Sequence, residues 1–373
     1  MIEIKEVKSK KEIKEFLNLP IRMYKGNKYI APALYADEKK MFKPDYMYYD
    51  QAESKFWIAY KDGKVVGRVQ AILQKVANEK WNQKRVRFTR FDSIDDQEVA
   101  NALLNKVEEF AKEKGMAELV GPLGFSDLDR EGLLIEGFDQ LNTFEEQYNF
   151  DYYQKLLENY GFSKEIDWLE YRILPNKEKL QRVINLGNKL LERSGLHFIE
   201  GLSYKKFAKR YKEQFFAMLD KTYDKLYGTV PFSEGMKNLL INNFTPLINM
   251  DYVIALADEN DKIVAFCIAF PSITEVLQKS GGHLYPLTAL KVLRTVKHPK
   301  RIDLGLIGVG EEDALTGATA IIVGRISELM LKYKLEYMET NLNLENNTEI
   351  LGLWKHFDVL HHKRRRSFIK KVN

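Results

Sequence analysis

Residues 56–73 read FWIAYKDGKVVGRVQAIL, and residues 252–270 read YVIALADENDKIVAFCIAF. In the first stretch two β-rich runs flank Asp62-Gly63, a strong short-range hairpin signal. The second stretch repeats the pattern around a polar turn, with Ile254-Ala255 standing where the first has Ile58-Ala59. Such self-similarity implies duplication, and it predicts that each copy builds its own sheet.

The segments after each hairpin match as well. In the first half a β-like run, Arg85 to Phe91, leads into Gln97 to Lys114, where Val99, Leu103, Val107, Phe110 and Ala111 recur at helical spacing and Gly115 ends the helix. A short strand (Ala117 to Val120), a long loop, the helix YYQKLLENYGF and the strand WLEYRIL complete it. In the second half the strand is Ile302 to Val309 and the helix Thr319 to Tyr333, followed by the strand LEYMETN, a helix from Thr348 to Phe357 and a basic closing strand. Helices mixed with a largely antiparallel sheet predict an α+β fold with helices on both faces. Leu174-Pro175-Asn176 is a helix-incompatible join, so the domains are expected at 1–174 and 175–373. The second half carries an insertion, Thr274 to Lys300, that the first lacks.

Composition narrows the class. The 373 residues are 45% hydrophobic and 30% charged, a globular balance that fits two domains. The 58 basic and 53 acidic residues set up no strong field of one sign, which argues against nucleic acid as partner. One cysteine makes neither an internal disulfide nor a Cys-based metal site. The opening MIEIKEVKSKKEIKEF lacks a signal-peptide apolar core, and the longest apolar stretch, Ile263 to Phe270, is too short to span a bilayer. A cytoplasmic, soluble protein is expected.

The order of elements resembles the GNAT acyltransferase superfamily, twice in tandem. In that superfamily the strand before the main helix offers backbone groups to the pantetheine arm of acyl-CoA, and the following loop, Arg/Gln-x-x-Gly-x-Gly/Ala, holds the diphosphate. The resemblance therefore implies that Ile307, Gly308 and Val309 face pantetheine and that Thr316, Gly317, Ala318 and Thr319 receive the diphosphate, although Ala314 replaces the usual Arg or Gln. Asn347, Ile350 and Trp354 match the family's Asn-x-x-Ala-x-x-x-Tyr helix, with Trp354 in place of the tyrosine that protonates the leaving thiolate. An indole N–H donates a hydrogen bond but is no useful acid. The same slot in the first half reads Asp95-Asp96-Gln97-Glu98-Val99-Ala100. A carboxylate there repels a phosphate by about 4 kcal/mol at 4 Å in an intermediate dielectric, against about 0.3–1 kcal/mol of attraction from the helix end. The first half is thus expected to be a degenerate copy. A narrower resemblance covers nearly the whole chain: DDQEVANALL, GPLGFSDLDREGLLIEGFD, YNFDYYQKLLENYGF, ETNLNLENN and KRRRSFIKK are similar to YghO-like bacterial proteins. Related GNAT proteins are associated with bacterial sphingolipid synthesis and resemble ceramide synthases, which acylate a long-chain amine.

The loop Gly121 to Asn149 is too long for a mere connector. Its Asp127, Asp129, Glu131, Glu136 and Asp139, with Tyr148, Tyr152 and Tyr153, form either an acceptor pocket for an amine and its chain or a clasp between domains. Direct transfer needs a neutral amine, and Glu339 is the base expected beside the cleft, with Thr340 on the opposite face of the strand. Asn347 reads both as a motif residue and as a helix N-cap. His356, His361 and His362 lack metal-ligand spacing, and Lys363 to Arg366 beside them would repel a cation, so no metal is expected. The basic run is read as a strand with one solvated face, and Cys267 as a buried small residue. In the insertion, Leu284, Leu287, Leu290, Val292, Leu293 and Val296 interleave with Lys291, Arg294, Lys297, Lys300 and Arg301. This segment (284–301) reads as a surface helix packed on its own domain or as a peripheral membrane contact.

The expected activity is N-acyl transfer from acetyl-CoA or a longer acyl-CoA to a small-molecule or lipid amine, without a covalent enzyme intermediate. A catalytically inactive GNAT-fold binding protein and an aminoacyl-tRNA-dependent transferase remain as alternatives. Acyl chain length, acceptor and oligomeric state are left open.

Overall fold

The computed structural model describes residues 1–244, 249–310 and 317–372. The first half holds β1 (Ile2–Glu6), α1 (Lys10–Met23), α2 (Tyr35–Lys40), β2 (Ala52–Lys61), β3 (Lys64–Gln74), α3 (Lys75–Lys80), β4 (Arg85–Ser93), α4 (Gln97–Glu113), β5 (Glu118–Gly121), β6 (Leu133–Glu136), α5 (Tyr152–Asn159) and β7 (Ser163–Leu174). The second holds α6 (Lys177–Ser194), β8 (His197–Phe198), α7 (Tyr204–Tyr223), α8 (Glu234–Phe244), β9 (Val253–Ala257), β10 (Ile263–Pro271), α9 (Thr274–Ser280), α10 (Pro286–Lys297), β11 (Arg301–Val309), α11 (Ala318–Tyr333), β12 (Tyr337–Thr340), β13 (Asn343–Leu344), α12 (Thr348–Leu353) and β14 (Asp358–Lys371). Both hairpins form where the sequence places them. Asp62 and Gly63 both take positive φ, as a tight hairpin turn requires.

The halves do not build separate sheets. One 14-stranded sheet runs β1-β2-β3-β4-β5-β14-β7-β12-β11-β10-β9-β8. The C-terminal strand β14 inserts between β5 and β7, and β7 in turn lies against β12. Each half has therefore passed its last strand into the other's sheet, which corrects the expectation of two independent sheets. The reason is edge satisfaction: β5 and β12 each need a neighbour, and the exchanged strands leave no open edge between the halves.

The register of β14 is set by charge. Lys363 and Arg365 sit at alternate positions and are fully buried, with the Lys363 ammonium 2.5 Å from Glu170 and 2.6 Å from Glu339, and Arg365 Nε 2.6 Å from Glu170. Arg364 and Arg366 pair instead with Asp167. A slip of one residue would reverse these faces and strand two buried cations. The run alternates as expected, with Lys363 and Arg365 buried and the side chains of Arg364 and Arg366 partly exposed on the other face. Where the register shifts between His361 and Lys363, His362 is the extra residue, and its Nε2 lies 3.3 Å from Glu339. The ligand-type atoms of Glu170, Glu339 and His362 fall within 4.8 Å of one another, but Lys363 already supplies positive charge there.

Two α/β cores flank the seam. In the first, Val99, Leu103, Val107 and Phe110 of α4 pack on Val69, Ala71 and Phe88. In the second, α11 lays Ile321, Ile322, Val323 and Ile326 on β9, β10 and β11. Gly187 of α6 and Gly324 of α11 let those helices cross closely: a Cβ on Gly187 would lie 2.9 Å from the Ala320 carbonyl oxygen.

Candidate active site

Parallel strands β11 and β12 pair only from Arg301 to Leu304 and then part. Beyond that point β11 shows one edge to β10, and its other edge faces a cleft of about 460 Å³. Ile307, Val309, Thr319, Asn347 and Trp354 line this cleft. Tyr223, at the end of α7, serves the open edge: its hydroxyl accepts from the Ile307 N–H and donates to the Ile307 carbonyl, both at 3.2 Å. Gly317 caps α11 at φ +84° and offers no side chain to the first turn, so among the described residues no cap side chain takes the N–H groups that could receive an anion. Ala318 behind it is fully buried. Thr316 lies outside the described residues, as does Ala314. These features fit a pantetheine arm along β11 and a diphosphate at the α11 N-terminus, with the helix end as the source of positive potential.

In the first half the strand edge is engaged by tyrosines in the same way, and the helix end, unlike that of α11, is capped by a carboxylate. Strands β4 and β5 pair from Arg85 to Arg87 and part in the same way. The Ser93 N–H donates to the Tyr153 hydroxyl at 3.1 Å, and the Tyr152 hydroxyl donates to the Ser93 carbonyl at 2.8 Å. Asp96 caps α4 with its own carboxylate, accepting from the N–H groups of Glu98 and Val99.

The long loop of the first half delivers its acids into the cleft of the second. Asp127 and Glu131 line it, together with Glu146, which the sequence reading passed over. An apolar cavity of about 150 Å³ adjoins the cleft, walled by Phe207, Phe215, Phe216 and Leu219 of α7 with Ile268 and Phe270. Asp127, Glu146, Gly305 and Asn341 border both spaces, and Asp129 and Glu145 border the apolar one. Among the described residues, Oε2 of Glu146 and Oε1 of Glu131 have no hydrogen-bond partner, and no other residue donates to either oxygen of Glu145. Burial pushes Glu146 up to about 7, with Arg365 only partly opposing, and pushes Asp127 up to about 6. Glu131 and Glu145 lie well above the usual carboxylate range, chiefly from burial and then from neighbouring acids, Asp127 and Asp303 respectively. The pair Glu145-Glu146 sits in an otherwise apolar and amide-rich string, TFEEQYNF, and that contrast was the available signal.

Other sequence-selected residues fall elsewhere. Glu339 is buried in the seam cluster and does not line the cleft, whereas Thr340 does. Burial works to raise the Glu339 carboxyl, but Lys363 and His362 hold it down to about 2, so it is a poor base. Trp354 commits its Nε1–H to Asn343 Oδ1 at 3.1 Å, and Asn347 caps α12 by accepting from the Ile350 N–H. Asp129 is tied to Arg90 at 3.2 Å. Glu136 pairs with Arg364 on the surface. Tyr148 donates to the Phe138 carbonyl and borders a separate cavity of about 480 Å³ beside Arg68 and Asp92. Tyr152 belongs to the first-half core. Glu136, Tyr148 and Tyr152 therefore do not line the cleft: Glu136 sits on β6 against β14, Tyr148 faces the separate cavity and Tyr152 packs on the first-half core.

Two expectations follow from these shifts. Cys267 borders the cleft, but burial pushes its thiol to about 12, leaving it un-ionised near neutrality. Cys267→Ala is expected to keep turnover within about threefold of the parent, as measured by steady-state kinetics, because no thiolate is available to attack. The second expectation concerns pH. Glu339, at about 2 when folded against 4.5 when free, stabilises the fold above pH 4.5 and loses that contribution as pH falls toward 2. Glu146 and Asp127 act with the opposite sign: the folded form binds their protons more tightly, so stability grows as pH falls from about 7. Calorimetry should place the highest Tm at about pH 5, and a maximum at pH 7 to 8 would contradict the raised acids.

No family model matches the chain. It is 23% identical over 374 residues to protein YghO of Escherichia coli (strain K12), covering 98% of this chain and 94% of that protein. It is 25% identical over 313 residues to the bacterial ceramide synthase of Caulobacter vibrioides (strain NA1000 / CB15N), covering 81% of this chain and 79% of that protein. Among solved structures, a tandem GNAT protein from the clavulanic acid biosynthesis pathway superposes with a TM-score of 0.59 at 10% identity, covering 100% of this chain and 99% of its own. The GCN5-related glucosamine N-acetyltransferase region of a fungal multi-domain GH3 β-N-acetylglucosaminidase does so with a TM-score of 0.59 at 11% identity, covering 99% of this chain and 38% of its own. Among the described residues no helix is long and apolar enough to cross a membrane.

Proposed function

We propose that this chain, a tandem GNAT-fold protein related to YghO, transfers an acyl group from acyl-CoA to an amine that carries an apolar chain. The observation that carries this reading is the meeting of the two spaces. A cleft along the outer edge of β11 joins a more apolar cavity at a ring of buried acids. A thioester donor supplies an activated carbonyl. The edge of β11 and the α11 N-terminus would hold that donor, and Asp127, whose carboxyl ionises at about 6, would draw a cationic amine inward.

Glu146 is the base in this reading. Poised at about 7, its carboxylate accepts one proton from the ammonium, which leaves a neutral amine to attack. As the C–N bond forms and the C–S bond breaks, the nitrogen's second proton replaces the one that Tyr223 gives to the departing sulfur, so that amide and thiol result, and Glu146 releases the ammonium's first proton to water. Tyr223, which lines the cleft, would give that sulfur its proton by exchanging the Ile307 carbonyl for the sulfur as acceptor, a role Trp354 cannot fill. The first half, with its helix end already capped by Asp96, serves as the degenerate partner that contributes the acidic loop.

Isothermal titration with acetyl-CoA and palmitoyl-CoA tests the donor site. Gly317→Glu places a carboxylate at the α11 N-terminus and a Cβ 3.0 Å from Leu190 Cδ1. It is expected to weaken binding by about 100-fold or more, combining like-charge repulsion with backbone strain. Failure of the parent protein to bind either thioester would sink the proposal.

A further inference from the structure

We propose that the outer face of α10 docks on an anionic lipid surface. Leu284, Tyr285, Leu287, Leu290 and Leu293 are 53–73% exposed, and they crowd more than half of the large exposed apolar side chains among the described residues into one short segment. The helix does not need them for its own packing. Its inward face is Thr288, Val292 and Val296, and the two valines are buried with Ala31, Phe144, Ile273 and Leu277. On the outward face the leucines alternate with Lys291, Arg294 and Lys297, and no acid occurs from residue 284 to 301. None of those three cations has an ion-pair partner among the described residues.

An exposed apolar patch of this size marks an interaction surface. Its interleaved cations choose the occupant. Leucines that enter the acyl boundary while Lys and Arg stems reach the phosphate level suit a helix lying in the plane of a membrane. A second copy of the same face would oppose cation to cation. The mounting is firm: Tyr35 stacks on His283 at 4.3 Å and His283 on Tyr285 at 5.3 Å. Gln278 Nε2 donates to the carbonyls of Lys28 and Ile30, which ties the segment to the first half.

The test is co-sedimentation of the full chain with vesicles of phosphatidylcholine alone and with a quarter phosphatidylglycerol. The parent is expected to pellet with the anionic vesicles and to be released by high salt. Leu287→Ser/Leu290→Ser/Leu293→Ser is expected to cut the partition coefficient about tenfold or more, and Lys291→Glu/Arg294→Glu/Lys297→Glu to abolish the preference for anionic lipid. Both variants should melt as the parent does, because the inward face is untouched. Absence of parental binding, or unchanged partition in the serine variant, would overturn the proposal. A parental dimer that becomes monomeric in the serine variant would assign the face to a second copy and overturn it equally.

Discussion

Glu146→Gln is expected to lower kcat by about 10²- to 10³-fold and to remove the acid limb of the pH–rate profile, which in the parent should rise with a midpoint at about pH 7. The substitution keeps the shape of the side chain and its place between cleft and apolar cavity, so a merely structural role would leave the shape of the profile intact. Burial is the cause of the unusual value. Glu146 is 5% exposed, its Oε2 lacks a hydrogen-bond partner, and its nearest cation, Arg365 at 3.9 Å, is engaged more closely by Glu170 at 2.6 Å. A carboxylate so weakly compensated holds its proton to near neutrality, where a base must sit to deprotonate an ammonium and still release the proton afterwards. An E146Q enzyme with kcat within about tenfold of the parent would move the base to Asp127, which burial raises to about 6.

The second large effect is on stability. Lys363→Met is expected to reduce the free energy of unfolding by about 3–5 kcal/mol, measured by urea denaturation, because it leaves Glu170 and Glu339 buried with one cation fewer. That is a large share of the roughly 5–15 kcal/mol that holds a domain folded. Removing the carboxylate as well, in Lys363→Met/Glu339→Gln, should recover much of the loss, since Glu170 keeps Arg365 at 2.6 Å. A change under about 1 kcal/mol in the single variant would show that water or rearrangement compensates the acids. The location makes the consequence wide: Lys363 lies on β14, Glu170 on β7 and Glu339 on β12, so the cluster ties three strands drawn from both halves.

Much of the architecture was legible from local patterns. Asp62-Gly63 marks a turn because both positions accept positive φ, and the spacing of Val99, Leu103, Val107 and Phe110 marks a buried helical face, since each operates over a few neighbouring residues. The duplicated order of elements was readable for the same reason, and so was Asn347 as a helix cap. The site residues were legible only in part. Asp127 and Glu131 were found because they stand in a loop too long to be idle, while Glu145 and Glu146 were hidden at its far end among apolar neighbours. Glu339 was selected by its strand position, and alternation carried it to the wrong face: Thr340 turns toward the cleft and Glu339 toward Lys363.

By itself, then, the sequence determined what local backbone chemistry and periodicity can specify: two copies of one α/β plan, with their turns and caps. Tertiary structure alone decided which strands lie side by side and which acids are raised toward neutrality. The strand exchange depends on pairing between residues nearly 200 positions apart, as between Asp167 and Arg366, and no local pattern encodes such a partner. The proton affinity of a carboxylate depends on what surrounds it. Glu146 and Glu339 are the same residue type, equally removed from water; one rises to about 7 and the other falls to about 2, because only the second has an ammonium 2.6 Å away.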